Sequence, residues 1–148
     1  PGEYEVKGVG IVGVGVYHDD TGGSERGKNT IYRIELDGIS VVHLGDLGHE
    51  LSSAQVDSLD GVDILLIPVG GFYTIDAASA AKVVGEIEPR IVIPMHYLTA
   101  GLDQKAFGSL AVVEAFLKEM GKADVVPQPK LTISKDKMPE EMQVVVLQ

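Results

Sequence analysis

The chain has 148 residues, a formal net charge of -10 from 12 Lys+Arg against 22 Asp+Glu, 45% hydrophobic residues and no cysteine. That length and composition fit one soluble globular domain, residues 1–148, able to bury a core without disulfides, and they exclude the disordered, fibrous and disulfide-framed classes. The acidity would repel a phosphate backbone, which excludes nucleic-acid binding through a basic face, and the lack of thiols leaves imidazole and carboxylate as the donors for any metal.

The chain opens with "PGEYEVKG", which carries no secretory pattern and reads as the middle of something longer. Residues 4 to 18, "YEVKGVGIVGVGVYH", form one long strand or two short ones, rich in Val and Ile. Val12, Val14, Val16 and His18 share one face, with Gly13 and Gly15 on the other, where a close neighbour can sit. A polar, Gly-rich loop over 19–30 follows. "IYRIELDGISVVHLGD" is then a hairpin whose Asp37-Gly38 pair suits a type I′ turn. "VDILLIPVGG" (62–71) and "RIVIPMHY" (90–97) are apolar on both faces, as central strands covered by helices are. Ile64 to Ile75 is the longest charge-free run near the middle; it is too short for a bilayer and is broken by Pro68, Gly70 and Gly71. No membrane segment is therefore expected.

Between those two strands Thr74 is placed to cap a helix carrying Ala80, Val83, Val84 and Ile87, which Pro89 stops. A second helix, roughly 103–120, presents Phe107, Leu110, Val113, Leu117 and Met120, with Gly121 as its stop. The tail from Leu131 adds one or two late strands. Strands first, then alternating strand and helix, give an α/β fold with a mixed sheet.

Two motifs match in spacing only. "GVGIVG" (8–13) has dinucleotide-binding glycines, but β-branched residues run straight through where a helix should begin. "GGSERGKN" (22–29) nearly spells a P-loop, yet position 29 is Asn and a strand follows. Nucleotide binding is not expected.

Three potential ligands remain. His18 ends its strand in "VYHDD", His96 ends another in "IPMHY", and Asp46 lies where "ISVVHL" gives way to "GDLGH", flanked by Gly45 and Gly48. Singly, each reads as an ordinary hydrogen-bonded side chain or Asx-turn. Jointly they weigh more, because only four histidines exist and three strand ends could converge on one sheet edge. The set suits zinc, with manganese or ferrous iron as alternatives. His43 should face away from Asp46 in a structural role. His49 either orients Asp46 or the substrate, or merely sits in the loop. Asp19 and Asp20 either add charge behind the ligands or, as the commoner case, make a solvated loop start. Gly70 and Gly71 either approach the site or make a tight turn.

These stretches, "YHDD" with its Gly-rich loop, "VVHLGDLGH", "DILLIPVGG" with "YTID" beyond Phe72, and "IVIPMHY", resemble the later part of the metallo-β-lactamase-fold hydrolases. The likeness is nearest to the zinc-dependent branch that includes sugar-phosphate lactonases, and it runs over roughly residues 2 to 100. The resemblance implies half of a four-layered αββα fold, with helices on one face of a mixed sheet. It also implies a one- or two-metal site in which His18 and His96 are histidine ligands and Asp46 the bridging carboxylate, with a metal-activated water as nucleophile.

The family's H-x-H-x-D-H element is absent, so the chain resembles the C-terminal half of such an enzyme. Pro1 in place of Met fits a proteolysed or truncated chain, or one chain of a split protein; a degenerate half-protein is the alternative. A lone half would expose an apolar sheet face, so the missing N-terminal half or a homo-oligomer partner is expected to cover it. The isolated chain should bind metal weakly and hydrolyse slowly if at all. The expected function is a cytoplasmic metal-dependent hydrolase, or its C-terminal half, acting on a small ester, lactone or phosphoester. The alternative is a nonenzymatic α/β assembly module whose His and Asp residues are structural.

Overall fold

A computed structural model describes all of residues 1–148. Its first half is two hairpins laid side by side. β1 (Gly2–Val6) and β2 (Val9–Tyr17) pair antiparallel. The chain reverses at Lys7 and Gly8, both at positive φ, so the 4–18 run is two strands folded on each other. β3 (Lys28–Leu36) pairs with β2 on one side and with β4 (Ile39–His43) on the other. The β3–β4 turn has Asp37 at φ 51° and Gly38 at φ 74°, as the Asp-Gly pair predicts for type I′.

From β4 onward the sheet becomes parallel. β5 (Ile64–Pro68), β6 (Ile91–Met95) and the short β7 (Gln143–Val144) complete a seven-stranded sheet whose spatial order follows the sequence. A short helix, α1 (Ser53–Asp57), opens on a capping box between Ser52 and Gln55. α2 (Ala77–Ile87) connects β5 to β6 and buries Ala80, Val83, Val84 and Ile87, the face its periodicity predicts. Its cap is Asp76, whose carboxylate accepts from the Ser79 N–H at 2.9 Å, and not Thr74. Ile75 donates to the Leu47 carbonyl at 2.9 Å, which ties the chain to the loop after β4 and delays the cap from residue 74 to residue 76.

The expected helix over 103–120 is two helices, α3 (Gln104–Phe107) and α4 (Val113–Glu119). Ala111 donates to the Gly70 carbonyl at 2.8 Å and accepts from Leu98 at 2.9 Å. Those bonds pin residue 111 across the ends of β5 and β6, and an unbroken helix could not make them. Gly121, at φ 64°, follows α4 as the sequence predicts.

The two longer helices, α2 and α4, cover one side. Val42, Leu65, Ile67 and Val92 of the sheet join Val83, Val84, Phe116 and Leu117 of α2 and α4 in one buried cluster. Each such side chain contributes roughly 1.5–3 kcal/mol on burial. On the opposite side Ile64, Ile91 and Val145 are covered by Leu131, Ile133 and Met138 of the C-terminal segment. That cover stops short of β1 to β3, where Tyr4, Val6, Tyr32 and Leu36 stand 48–60% exposed. The cover and the bare ground meet near β4. No helix is long and apolar enough to cross a membrane.

Candidate functional site

His18, Asp46 and His96 line one recess of about 360 Å³ at the C-terminal edge of the sheet, each carried there by a different strand. Backbone contact sets each position. His18 follows β2, and Tyr17 just before it accepts from the Gly48 N–H at 3.1 Å. A Cβ on Gly48 would collide with the His18 carbonyl carbon and the Asp19 nitrogen, so only glycine lets the two segments lie together.

Asp46 is held from beneath by Asn29. The Asn29 amide donates to the Leu44 carbonyl at 2.8 Å and accepts from the Asp46 N–H at 3.2 Å. Gly45, at φ 61°, leaves the space that Asn29 fills. The position that fails as a P-loop Ser or Thr thus anchors the candidate carboxylate.

His96 closes the set. It sits at φ 56°, a left-handed conformation that an imidazole-bearing residue adopts at a cost of order 1–3 kcal/mol. Its carbonyl oxygen lies where a Cβ on Gly70 would be, so Gly70 approaches the site, whereas Gly71, at φ 65°, turns the chain toward Asp76. Its Nδ1 stands 3.1 Å from Asp46 Oδ1.

The Nε2 of His18 is buried and has no hydrogen-bond partner. An unpaired buried polar atom is costly, and a bound ion is one arrangement that would satisfy it. The donor types suit a divalent cation. However, no three His, Asp or Glu side chains close into a metal-binding cluster. The structure brings Asp46 and His96 into contact and His18 into the same recess, and goes no further.

The remaining histidines bond to backbone, but His43 does not face away from Asp46: the two line one neighbouring recess. His43 accepts the Gly45 N–H on Nδ1 at 3.0 Å. Burial first, then the neighbouring His96, push its pKa down, against the opposing pull of Asp46. His49 reaches neither Asp46 nor the recess: Nε2 accepts from the Tyr17 N–H at 3.2 Å and Nδ1 meets the Glu50 carbonyl at 2.7 Å. An acceptor role at Nε2 places the proton on Nδ1, so both ring nitrogens are spent on backbone. His49 therefore clamps the end of β2 that presents His18.

Asp19 is not a solvated loop start. It is 2% exposed, and its carboxylate accepts from the backbone N–H groups of Thr21, Gly23, Glu25 and Arg26 at 2.6–3.0 Å. The Gly-rich loop that mimics a phosphate cradle is already wrapped around an anion of its own. The Arg26 N–H bond, followed by those from Gly23, Thr21 and Glu25, outweighs burial and holds the Asp19 pKa well below the usual carboxylate range.

The rest of the recess is apolar. Tyr73, Phe107, Leu102 and Leu110 wall it, with Thr74 and Tyr97 beside them. Only the break between α3 and α4 brings Leu110 there, so helical periodicity could not reveal this wall.

Comparison with known proteins agrees with this architecture. A family model described as "Beta-lactamase superfamily domain" matches residues 1–96. A metal-dependent hydrolase of Thermococcus onnurineus is 40% identical over 100 residues, covering 66% of this chain and 45% of that protein. One from Thermoplasma acidophilum is 33% identical over 114 residues, covering 74% and 50%. The chain spans about half the length of the curated relatives it matches. A crystal structure from Thermotoga maritima, described as a candidate zinc-dependent hydrolase of the metallo-beta-lactamase superfamily, superposes with a TM-score of 0.82 at 39% identity, covering 99% of this chain and 69% of that one. A metallo-beta-lactamase fold protein of Bacillus subtilis shares the fold at a TM-score of 0.60 and 10% identity, covering 97% of this chain and 49% of that one.

Proposed function

From the premise that this chain belongs to the beta-lactamase superfamily, we propose that it supplies His18, Asp46 and His96 to the divalent-metal centre of a hydrolase acting on a small ester, lactone or phosphoester. The observation that carries this reading is the buried, unpartnered Nε2 of His18 in a recess shared with an Asp46–His96 contact. Zinc is the metal proposed, with manganese and ferrous iron as alternatives. A divalent ion held there would lower the pKa of water and polarise the bond to be cut.

The chain's own residues do the positioning. Asn29 fixes the loop that bears Asp46, His49 and Gly48 fix the backbone before His18, and Gly70 seats the His96 peptide. Tyr97 donates its hydroxyl to the Leu147 carbonyl at 3.2 Å, and burial, helped by Glu114, pushes its pKa up. It therefore shapes the wall without moving protons. Three donors that do not converge make a weak site alone. The proposed partner is a covering unit on the open sheet face, either the other half of a two-sheet fold or a second copy, which brings the remaining donors. A chain without cysteine suits a reducing cytoplasm, the location proposed.

Zinc titration followed by calorimetry and histidine NMR tests the reading. Weak, saturable binding is expected, shifting His18 and His96 signals, and each of His18→Ala, Asp46→Ala and His96→Ala should weaken it by at least about tenfold. Binding unaltered by the triple substitution would refute the assignment, as would failure to bind after a covering half is supplied. A second reading, an assembly module without chemistry, draws on the missing three-donor cluster and the bare sheet face. It requires self-association indifferent to zinc and to all three substitutions.

A further inference from the structure

The recess is lopsided in its chemistry. His18, Asp46 and His96 are the ligand types in its lining, Tyr73, Phe107, Leu102 and Leu110 supply aromatic and aliphatic surface, and no Lys or Arg lines it. Phe72 meets the Tyr73 ring edge-on at 4.7 Å, and Tyr73 faces Phe107 at 6.4 Å in a second tilted pair. Tyr73 also donates its hydroxyl to the Ala106 carbonyl at 3.0 Å, which fixes the ring against α3. The wall is thus held in place by its own contacts and by the left-handed Phe72 at φ 59°.

Two basic groups lie close by but outside the lining. The Arg26 guanidinium lies 5.9 Å from the Tyr73 ring centroid and 3.9 Å from the Glu25 carboxylate. Lys28 lines a separate recess that meets this one only at Asp46. No cation lines the recess itself, and the guanidinium nearest the aromatic wall, that of Arg26, lies beside the Glu25 carboxylate in a chain of net charge -10, so an apolar group suits the wall better than a phosphoryl group. An alkyl or aryl group there would shed its water against carbon. The volume of about 360 Å³ suits a small molecule of this kind.

Resting on the hydrolase reading above, we propose that the substrate is an uncharged ester or lactone whose apolar substituent packs against Tyr73, Phe107 and Leu110, with its carbonyl toward Asp46 and His96. Phosphorylated and polyhydroxylated substrates are disfavoured. Tyr73 and Phe107 are the residues that select.

NMR on this chain, with and without zinc, tests the proposal using γ-octanolactone, gluconolactone and inorganic phosphate as probes. γ-Octanolactone is expected to shift signals of Tyr73, Phe107 and Leu110, and Phe107→Ala to weaken it at least about fivefold, in line with the loss of an aromatic contact. Phe107→Leu should restore much of the binding. Both rings are partly exposed, so the substitutions should leave the fold intact, which circular dichroism would verify. Phosphate or gluconolactone binding at the same residues as tightly as γ-octanolactone would overturn the proposal, and so would the absence of any γ-octanolactone shift there. Zinc shifts at His18 and His96 without lactone binding would leave the metal reading standing and remove this one. Lactone binding without zinc shifts would remove the metal reading and, with it, the role of the lactone as a substrate, leaving an apolar binding recess.

Discussion

His96 Nδ1 lies 3.1 Å from Asp46 Oδ1, so the residue that ends β6 touches the loop that follows β4. The contact requires His96 to hold φ at 56°, a conformation favourable to Gly and Asn and strained for imidazole. His96→Asn should therefore keep or raise thermal stability, by up to about 1 kcal/mol, while abolishing the zinc-induced shifts at His18. Chemical denaturation paired with zinc titration checks both halves; a clear loss of stability would show that the contact outweighs the strain.

Gly48→Ala and Gly70→Ala should each cost about 1–3 kcal/mol, since the added carbon meets backbone that has nowhere to yield. Gly85→Ala is the control: nothing lies near its missing Cβ, it sits inside α2, and it should be neutral or stabilising by up to about 1 kcal/mol. Melting temperatures of the three variants test this ordering, and equal losses would contradict it.

Asp19 links loop order to pH. The fold depresses its pKa, chiefly through the Arg26 N–H, so its contribution is complete above the ordinary carboxylate value near about 3.9 and is lost as pH falls toward the lowered folded value. Asp19→Asn should be less stable at neutral pH and show a flatter acid limb from about pH 4 down to pH 2. Urea unfolding across that range would decide; parallel limbs would remove Asp19 from the account.

Asp63 ties the C-terminal segment to the sheet. It is 6% exposed, accepts from the Ser40 N–H at 2.9 Å and from Lys135 Nζ at 2.8 Å, and lies 3.9 Å from Arg90. Burial pushes its pKa up, but Lys135, Ser40 and Arg90 together bring it below normal. Asp63→Ala strands a buried N–H and should cost about 1–3 kcal/mol. Lys135→Ala removes an exposed partner only and should cost under about 1 kcal/mol. Equal penalties in denaturant titration would show that the ion pair dominates.

The bare half of the open face should drive self-association. Tyr32 and Leu36 are 48% and 49% exposed on β3, and neighbouring Tyr4 and Val6 enlarge the patch. Tyr32→Glu with Leu36→Glu should shift light-scattering mass toward the monomer without lowering helical content. A wild-type chain that stays monomeric at high concentration would argue against a second copy as the covering partner.

Much of this was legible in the sequence where periodicity is local. The apolar stripe of α2, the Asp37-Gly38 turn and the strand ends bearing His18, Asp46 and His96 all follow from patterns a few residues long. The break at Gly108–Val112 was hidden because its cause is tertiary: Ala111 bonds to Gly70, far away in chain order. His49 and Asp19 were hidden for a similar reason. Both spend their polar atoms on backbone groups, and no residue type marks which backbone a side chain will meet.

Gly45, Gly48 and Gly70 stand behind the three candidate donors as absences, places where a neighbouring chain segment occupies the room a methyl would take. Anyone grafting the imidazoles and the carboxylate onto a foreign scaffold would have to transplant these bare stretches of main chain as well. Copying the donors alone would carry over the chemistry and lose the spacing.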